Sequence, residues 1–208
     1  MTRYCIAALL TAAALAHEVG AQDRPPLFFR EDWTETAAAL PVTQAHVANA
    51  DVLLALHGPG GARIKKSHHD RPADDPFYIW SGDAEAPWAV SLSHRRGSVD
   101  LGRLAKVRWR AKQTGFRRLH LVLHLADGAW IVSEESDGAS SDWRIHEFNV
   151  GDLHWRRLDI AQVIEGAAIA APDLSRVVGI GVTDLMRGGG TPASSRLDWI
   201  EVYGWKVD

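Results

Sequence analysis

Hydrophobic and polar residues alternate with a period of two along much of the chain. In the segment KVRWRAK (106–112), apolar residues occupy every second position and cations stand between them. The segment RRLHLVLHL (117–125) repeats this pattern with leucines on one side. Side chains of a β-strand point alternately to its two faces, so each segment predicts a half-buried strand. Residues 113–116, QTGF, predict a turn that would join the two strands in a hairpin.

Short segments of the same kind recur between turn signals throughout the chain. They are 27–33, 52–56, 77–80, 88–93, 129–133, 144–150, 155–160, 177–183 and 196–203. Helical periodicity is scarce, and only 160–165 is expected to form a turn or two. About ten short strands with little helix predict an all-β protein, an antiparallel jelly-roll β-sandwich. The stretch 58–75 has neither period and predicts a long surface loop.

The first residues have the three regions of a secretory signal peptide. An arginine precedes an apolar run that ends at Ala16, and Val19 and Ala21 fit the small-residue rule for cleavage. The run is about twelve residues long, well short of the roughly 20 that cross a bilayer as a helix. We therefore expect 1–21 to be a signal peptide and 22–208 to be a single β-sandwich domain. The mature protein is expected to be secreted or periplasmic, without a membrane anchor.

Composition narrows the chemistry that is open to the mature chain. The single cysteine is Cys5, inside the predicted signal peptide, which excludes disulfide, zinc–thiolate and cysteine-nucleophile chemistry from 22–208. A formal charge of -3 disfavours nucleic acid as a partner. Nine tryptophans provide core fillers and also platforms for stacking against sugars. Cleavage after Ala16 instead of Ala21 would expose His17, which can chelate copper through its amine and ring.

The end of the chain resembles a known architecture. The motifs GIGV (179–182) and LDWIEV (197–202) are similar to the closing strands of galactose-binding-like jelly rolls. Two kinds of relative share this pattern, extracellular carbohydrate-binding modules and the complex I intermediate-associated protein type. The segments around Trp109 and Leu121 are similar in spacing, so the resemblance covers roughly residues 99–204. It implies a jelly-roll sandwich and a carbohydrate ligand.

The resemblance also implies a metal site. In the carbohydrate-binding relatives, an aspartate of the last strand often helps to hold a structural calcium ion. The matching residue in this sequence is Asp198, so the resemblance implies the same role for it. A second carboxylate from the N-terminal strand would be needed, and Glu31 or Asp32 could supply it. Calcium takes six to eight oxygen ligands, and the sequence does not show six. The alternative is that Asp198 accepts hydrogen bonds from a neighbouring turn.

A dense polar cluster in the loop 58–75 is followed by aromatic residues. His68, His69 and Asp70 are candidates for catalysis or for a divalent metal, since histidine titrates near neutrality and is a common ligand. Tyr78 is a further candidate base. The candidate ligand-binding residues are Lys65, Lys66, Trp80, Asp184 and Arg187. No recognised motif such as HExxH is present, so a solvated polar loop is the alternative.

Two further surfaces are candidates for ligand contact. Asp184 and Arg187 lie in a loop with three glycines at 188–190. One hypothesis is that this glycine loop meets the loop 58–75, here called the histidine loop, at one end of the sandwich. The outward side of the predicted hairpin would form a cationic patch, which favours an acidic or heavily hydroxylated glycan over a neutral apolar ligand. Its members are Arg108, Arg110, Lys112, His120 and His124. An ordinary solvated sheet face is the alternative.

No reaction is identified by these patterns. The leading hypothesis is a secreted carbohydrate-binding or carbohydrate-active protein that holds a glycan, or another small molecule, with cationic and aromatic side chains. One alternative is a glycan-degrading enzyme, a glycoside hydrolase or polysaccharide lyase, that uses His68, His69 and Asp70 with or without a metal. Another is a structural or assembly protein of the cell envelope. The oligomeric state is open.

Overall fold

The computed structural model describes residues 23–186 and 192–208. The strands in chain order are β1 (Leu27–Glu31), β2 (Val52–His57), β3 (Lys65–Ser67), β4 (Tyr78–Trp80), β5 (Ala89–His94), β6 (Ser98–Asp100), β7 (Lys106–Gln113), β8 (Leu119–Leu125), β9 (Trp130–Asp137), β10 (Arg144–Asn149), β11 (Trp155–Asp159), β12 (Ile164–Ile169), β13 (Val177–Thr183), β14 (Ser195–Tyr203) and β15 (Trp205–Val207). Three 3₁₀ turns, at Gln44–His46, Gly61–Arg63 and Val150–Asp152, are the helical elements of the described residues. None of the described helices is long and apolar enough to span a bilayer.

The strands form two sheets in which all the pairings are antiparallel. The first sheet has the order β10-β7-β14-β4-β3, and β1 also pairs with β14. The second sheet has the order β12-β11-β9-β8-β13-β5-β2, to which β6 and β15 are added. The prediction of an all-β antiparallel sandwich is therefore confirmed.

One hydrophobic core joins the facing sides of the two sheets. Trp109 of β7 and Ile200 of β14 come from the first sheet, and Leu121 of β8 and Ile180 of β13 come from the second; all four are buried. The predicted alternation explains this placement, because every second residue of β7 and β8 enters the core. A smaller cluster around Val122 lies on the outer side of the second sheet.

The hairpin predicted between β7 and β8 is wrong. β7 pairs with β10 and β14 in the first sheet, whereas β8 pairs with β9 and β13 in the second. The short connection at 114–118 therefore crosses from one sheet to the other. Alternation gives the buried side of each strand, but it does not give the partner.

Segments without a clear period were also mispredicted. The expected helical turn at 160–165 is instead a turn that leads into β12, whose residues are mostly exposed. The expected loop 58–75 contains a 3₁₀ turn and β3 before it becomes irregular. β6 and β15 were missed, because three residues are too few to show a period.

Candidate functional site

The outer face of the first sheet, turned away from the core, carries charged and aromatic side chains. Because Trp109 and its alternate neighbours fill the core, the cations between them on β7 must point outward. The pairing register then places Arg110 beside Trp199, and Arg108 beside Glu201. We call this surface the outer face. Its members include Arg30, Lys65, Tyr78, Trp80, Lys106, Arg108, Arg110, Lys112, Trp143, Arg196, Asp198, Trp199, Glu201 and Tyr203.

Ion pairs tie the strands of the outer face together. Arg110 donates to Asp198 at 2.7 Å, and Arg30 donates to Glu201 at 2.5 Å. Arg108 lies 3.5 Å from Glu201. Burial raises the pKa of Asp198, and the hydrogen bond from Arg110 opposes that rise. The cations and carboxylates thus hold one another in fixed positions, with hydrogen-bonding capacity left over for a ligand.

Aromatic rings lie between these charges. The Arg30 guanidinium sits 4.4 Å above the Trp199 ring, which leaves that indole only 8% exposed. Trp143 is more open, with Tyr78 at 5.2 Å from its ring and Arg110 at 5.5 Å. The half-buried Trp80 has the Lys65 ammonium 5.6 Å from its ring centre. Trp80 and Trp143 are thus two partly exposed indoles of the outer face, and Gly82 packs against part of the Trp80 ring.

The structure brings together two of the four predicted catalytic residues. The Tyr78 hydroxyl lies 2.9 Å from His69 Nδ1, and Asp75 Oδ2 lies 2.9 Å from the same nitrogen. A proton relay through an imidazole needs both ring nitrogens, so these three groups do not form one. Tyr78 is also only 1% exposed, which shields its hydroxyl from a ligand.

The other two predicted catalytic residues contact other groups than this pair does. His68 stacks on Phe77 with their ring centres 4.0 Å apart, and its Nε2 is 4.0 Å from Asp70. The Asp70 side chain is fully exposed. Within 23–186 and 192–208 there is no group of three His, Cys, Asp or Glu side chains that could hold a metal ion.

Of the predicted ligand-binding residues, Lys65 and Trp80 lie together on the outer face. The Lys66 side chain points to the opposite face of the sheet from Lys65. It is fully buried, with its Nζ 4.5 Å from the centre of the Phe77 ring. Asp184 is also fully buried, and it accepts a hydrogen bond from Arg117 at 3.0 Å. Neither of these two side chains is open to a ligand. Arg187 and the glycines at 188–190 lie outside the described residues, as does their hypothetical meeting with the histidine loop.

The two carboxylates proposed for calcium do not fit one ion. Glu31 faces the inside of the first sheet, where its oxygens accept backbone N–H groups from Trp33, Ala48 and Asn49 at 2.7–2.9 Å. Asp198 lies on the outer face and is paired with Arg110. Asp32, the alternative to Glu31, is paired with Arg30. The sheet separates Glu31 from Asp198, and each carboxylate already has its partners.

The predicted cationic patch is divided between the two sheets. Arg108, Arg110 and Lys112 lie on the outer face, but His120 and His124 belong to β8 and point outward from the second sheet. His124 stacks on Trp130 with ring centres 4.2 Å apart. The prediction of a single cationic patch is wrong, because it assumed that β7 and β8 pair in a hairpin.

Sequence reasoning missed Trp143, Trp199, Tyr203 and Arg30 as members of the outer face. The period of two in β14 does place Tyr203 and Glu201 on the same side, and that signal was available. Strict alternation would place the adjacent residues Asp198 and Trp199 on opposite faces. The register shift between Leu197 and Trp199 lets both lie on the outer face, and alternation alone does not predict it. Trp143 precedes β10 in a loop, where no period exists.

Comparison with known proteins gives likeness in structure only. No protein-family model matches the chain, and no curated protein is similar to it in sequence. A family 11 carbohydrate-binding module from Clostridium thermocellum, solved with a β-1,3-1,4-mixed-linked tetrasaccharide, is 13% identical, with 83% of this chain and 98% of that chain covered at a TM-score of 0.47. A family 29 carbohydrate-binding module from Piromyces equi is 13% identical, with 85% of this chain and 91% of that chain covered at a TM-score of 0.44. An exo-β-agarase is 10% identical, with 76% of this chain and 23% of that chain covered at a TM-score of 0.42.

Two of these structures belong to a class that the sequence also resembles, the carbohydrate-binding modules. At such identities and TM-scores, the likeness gives no information on what this chain binds or where.

Proposed function

We propose that this protein binds carbohydrate on the outer face of its first sheet. The observation that carries the proposal is the arrangement of partly open indoles among fixed charges, in which Trp143 stands beside Arg110 and Trp80 beside Lys65. A tryptophan ring offers a flat apolar surface for the C–H side of a sugar. The neighbouring cations and carboxylates offer charge-assisted hydrogen bonds to its hydroxyls.

The shape of this surface suits an extended ligand. From Arg196 to Tyr203, β14 runs along the middle of the outer face, which at about 3.3 Å per residue corresponds to roughly 23 Å. Aromatic and charged side chains occur along this whole length. An oligosaccharide would contact several of them at once, whereas a single sugar would contact few.

Binding is favoured over catalysis because the predicted catalytic residues do not converge. The contact between Tyr78 and His69 nevertheless favours a second candidate, a glycan-degrading lyase in which these residues act as base. In such an enzyme the side chains that bury Tyr78 would have to move aside, since Tyr78 is only 1% exposed. A secreted or periplasmic location, which the signal-peptide pattern supports, belongs to the same proposal.

The test uses purified 22–208 on an array of oligosaccharides, followed by calorimetric titration of each glycan that binds. Trp143→Ala and Trp80→Ala should each weaken binding by about tenfold, since truncating an aromatic anchor costs more than about 1 kcal/mol. Trp205→Ala is the matched control, because Trp205 is a half-buried tryptophan on β15 of the second sheet and should not matter.

The outcomes separate the candidates. Loss of binding in the Trp143 and Trp80 variants but not in the Trp205 variant supports the proposal. Absence of binding to any glycan would overturn it, and unchanged affinity in both outer-face variants would place the ligand elsewhere. Shortened or unsaturated products that disappear in His69→Ala would establish the lyase instead.

A further inference from the structure

A depression of about 580 Å³ lies at one end of the outer face, where β7 begins and β14 ends. Its volume is within the range of roughly 300–1,000 Å³ that is typical of small-molecule sites. The residues that line it are Arg24, Pro25, Leu104, Lys106, Arg108, Asn149 and Tyr203. None of them belongs to the histidine loop, and neither Trp80 nor Trp143 is among them.

The lining of this depression is cationic. It holds Arg24, Lys106 and Arg108, and no carboxylate is among the lining residues. Two carboxylates outside the lining partly neutralise these cations. Glu147 lies 3.1 Å from Lys106 and 3.5 Å from Arg108. Glu201 lies 3.5 Å from Arg108 and accepts a hydrogen bond from the Tyr203 hydroxyl at 3.0 Å. Arg24 is exposed and forms no ion pair with any residue in the described part of the chain. Among the described residues, an anion entering the depression would therefore find one guanidinium without an ion-pair partner and two cations that are already paired.

The remaining lining is suited to a sugar ring. Tyr203 is half-buried, with the Lys106 ammonium 5.7 Å from its ring centre, and Leu104 is 49% exposed. The Leu104 side chain and the Tyr203 ring give the depression an apolar wall. Asn149 adds an amide that both donates and accepts hydrogen bonds. An apolar wall, a neutral amide and a group of cations together match a hydroxylated ring that carries an acidic substituent.

The charge of the depression is a local property. The whole chain has a formal charge of -3, so attraction of anions does not follow from net charge. Charged groups within a concave surface act on a ligand at short range, where salt screens them less than it screens distant charges. The selectivity should therefore be for an anionic group placed in this depression, and not for polyanions in general.

We infer that this depression binds the carboxylate or sulfate group of an acidic glycan that lies along the outer face. The inference rests on the proposed function and adds the class of ligand to it. The guanidinium of Arg24 and the ammonium of Lys106 would donate to the anionic oxygens while the sugar ring packs against Tyr203. Uronates and sulfated sugars share this chemistry.

The experiment titrates 22–208 with three oligosaccharides of equal length, namely an oligogalacturonate, a sulfated galactan and a neutral cello-oligosaccharide. At least one acidic ligand should bind about tenfold more tightly than the neutral one at about 50 mM salt, and the difference should shrink at about 300 mM. Comparison of the two acidic ligands decides between carboxylate and sulfate.

Variants locate the anionic group. Arg24→Ala should lower the affinity for the preferred acidic ligand about fivefold and leave the affinity for the neutral one unchanged. Lys106→Met, which keeps the aliphatic stem, should lower the affinity for the acidic ligand by more than it lowers the affinity for the neutral one. Arg157→Ala is the matched control, because Arg157 is an exposed arginine on β11 of the second sheet.

Failure of the inference can be distinguished from failure of the proposed function. Equal affinity for acidic and neutral ligands would overturn the inference and leave carbohydrate binding intact. An acidic preference that survives both Arg24→Ala and Lys106→Met would also overturn it, because the anion would then lie elsewhere. Absence of binding to all three ligands and to the array would overturn both.

Discussion

Lys66 places an amine inside the protein. Its side chain is fully buried beside Phe77, and its Nζ has no hydrogen-bond partner among the described residues. Burial disfavours the charged form and lowers the pKa of this lysine to about 8. A ring face offers weaker compensation than a carboxylate would. The amine therefore opposes folding while it is protonated.

Replacing Lys66 by methionine should stabilise the protein near neutral pH. The folded pKa of about 8 lies below the unfolded value of about 10.4, so the wild type gains stability as the pH rises from about 8 to about 10.4. Below about 8 the amine is protonated in both states, and this group causes no further change in stability. Lys66→Met lacks this dependence. Its advantage should be about 1–3 kcal/mol at about pH 7 and should vanish by about pH 10.5.

Urea unfolding at the two pH values measures this difference. Lys65→Met, on the opposite side of β3, is the control and should change the free energy of unfolding by less than about 0.5 kcal/mol. A Lys66→Met variant that is less stable than wild type at neutral pH would contradict the prediction.

At the scale of elements, the connection from β7 to β8 depends on a buried ion pair. Arg117 lies in this connection with its side chain 2% exposed, and it donates to Asp184 just after β13 and to the carbonyl of Met186. Burial raises the pKa of Asp184 to about 6, although Arg117 opposes the rise. The pair ties the crossover between the sheets to the end of the central strand β13.

Breaking this pair should be costly. Arg117→Ala leaves a carboxylate buried without its partner, which typically costs about 3–5 kcal/mol of stability. The adjacent Arg118 is exposed, so Arg118→Ala should stay within about 0.5 kcal/mol of wild type in the same urea titration. Similar midpoints for the two variants would show that the crossover does not depend on the pair.

The crossover also marks the limit of what alternation can predict. A period of two identified most of the longer strands and their buried sides, because one face of each enters the core. It could not assign β7 and β8 to different sheets, since pairing depends on contacts between residues far apart in sequence. In β12, an exposed edge strand, no buried face imposes a pattern.

The same limit applies to the candidate site. Lys65 and Trp80 were predicted and do lie together on the outer face, because neighbouring strands β3 and β4 pair them directly. Lys66 and Asp184 were predicted from their polarity alone, yet both are buried. Burial of a charged residue against partners from other elements, such as Arg117, leaves no local signal in the sequence.

At the scale of the whole molecule, the two sides of the sandwich differ in what they expose. The outer face of the first sheet presents arginines, lysines and partly open indoles, whereas part of the second sheet is covered by the cluster around Val122. Both sides depend on a single core for their alignment. No cysteine follows residue 5, so no disulfide within 6–208 contributes to that alignment.

Export and stability can therefore be tested together. If the chain is cleaved after Ala21, the exported protein loses Cys5, and its intact mass should correspond to 22–208. Its thermal midpoint should then be the same with and without a thiol reductant, because no disulfide can form within or between chains. Mass spectrometry of the exported protein and calorimetric scans with and without reductant provide the measurement. A mass that retains Cys5 would contradict the predicted cleavage, and a midpoint that falls on reduction would require a disulfide that only an uncleaved chain could supply.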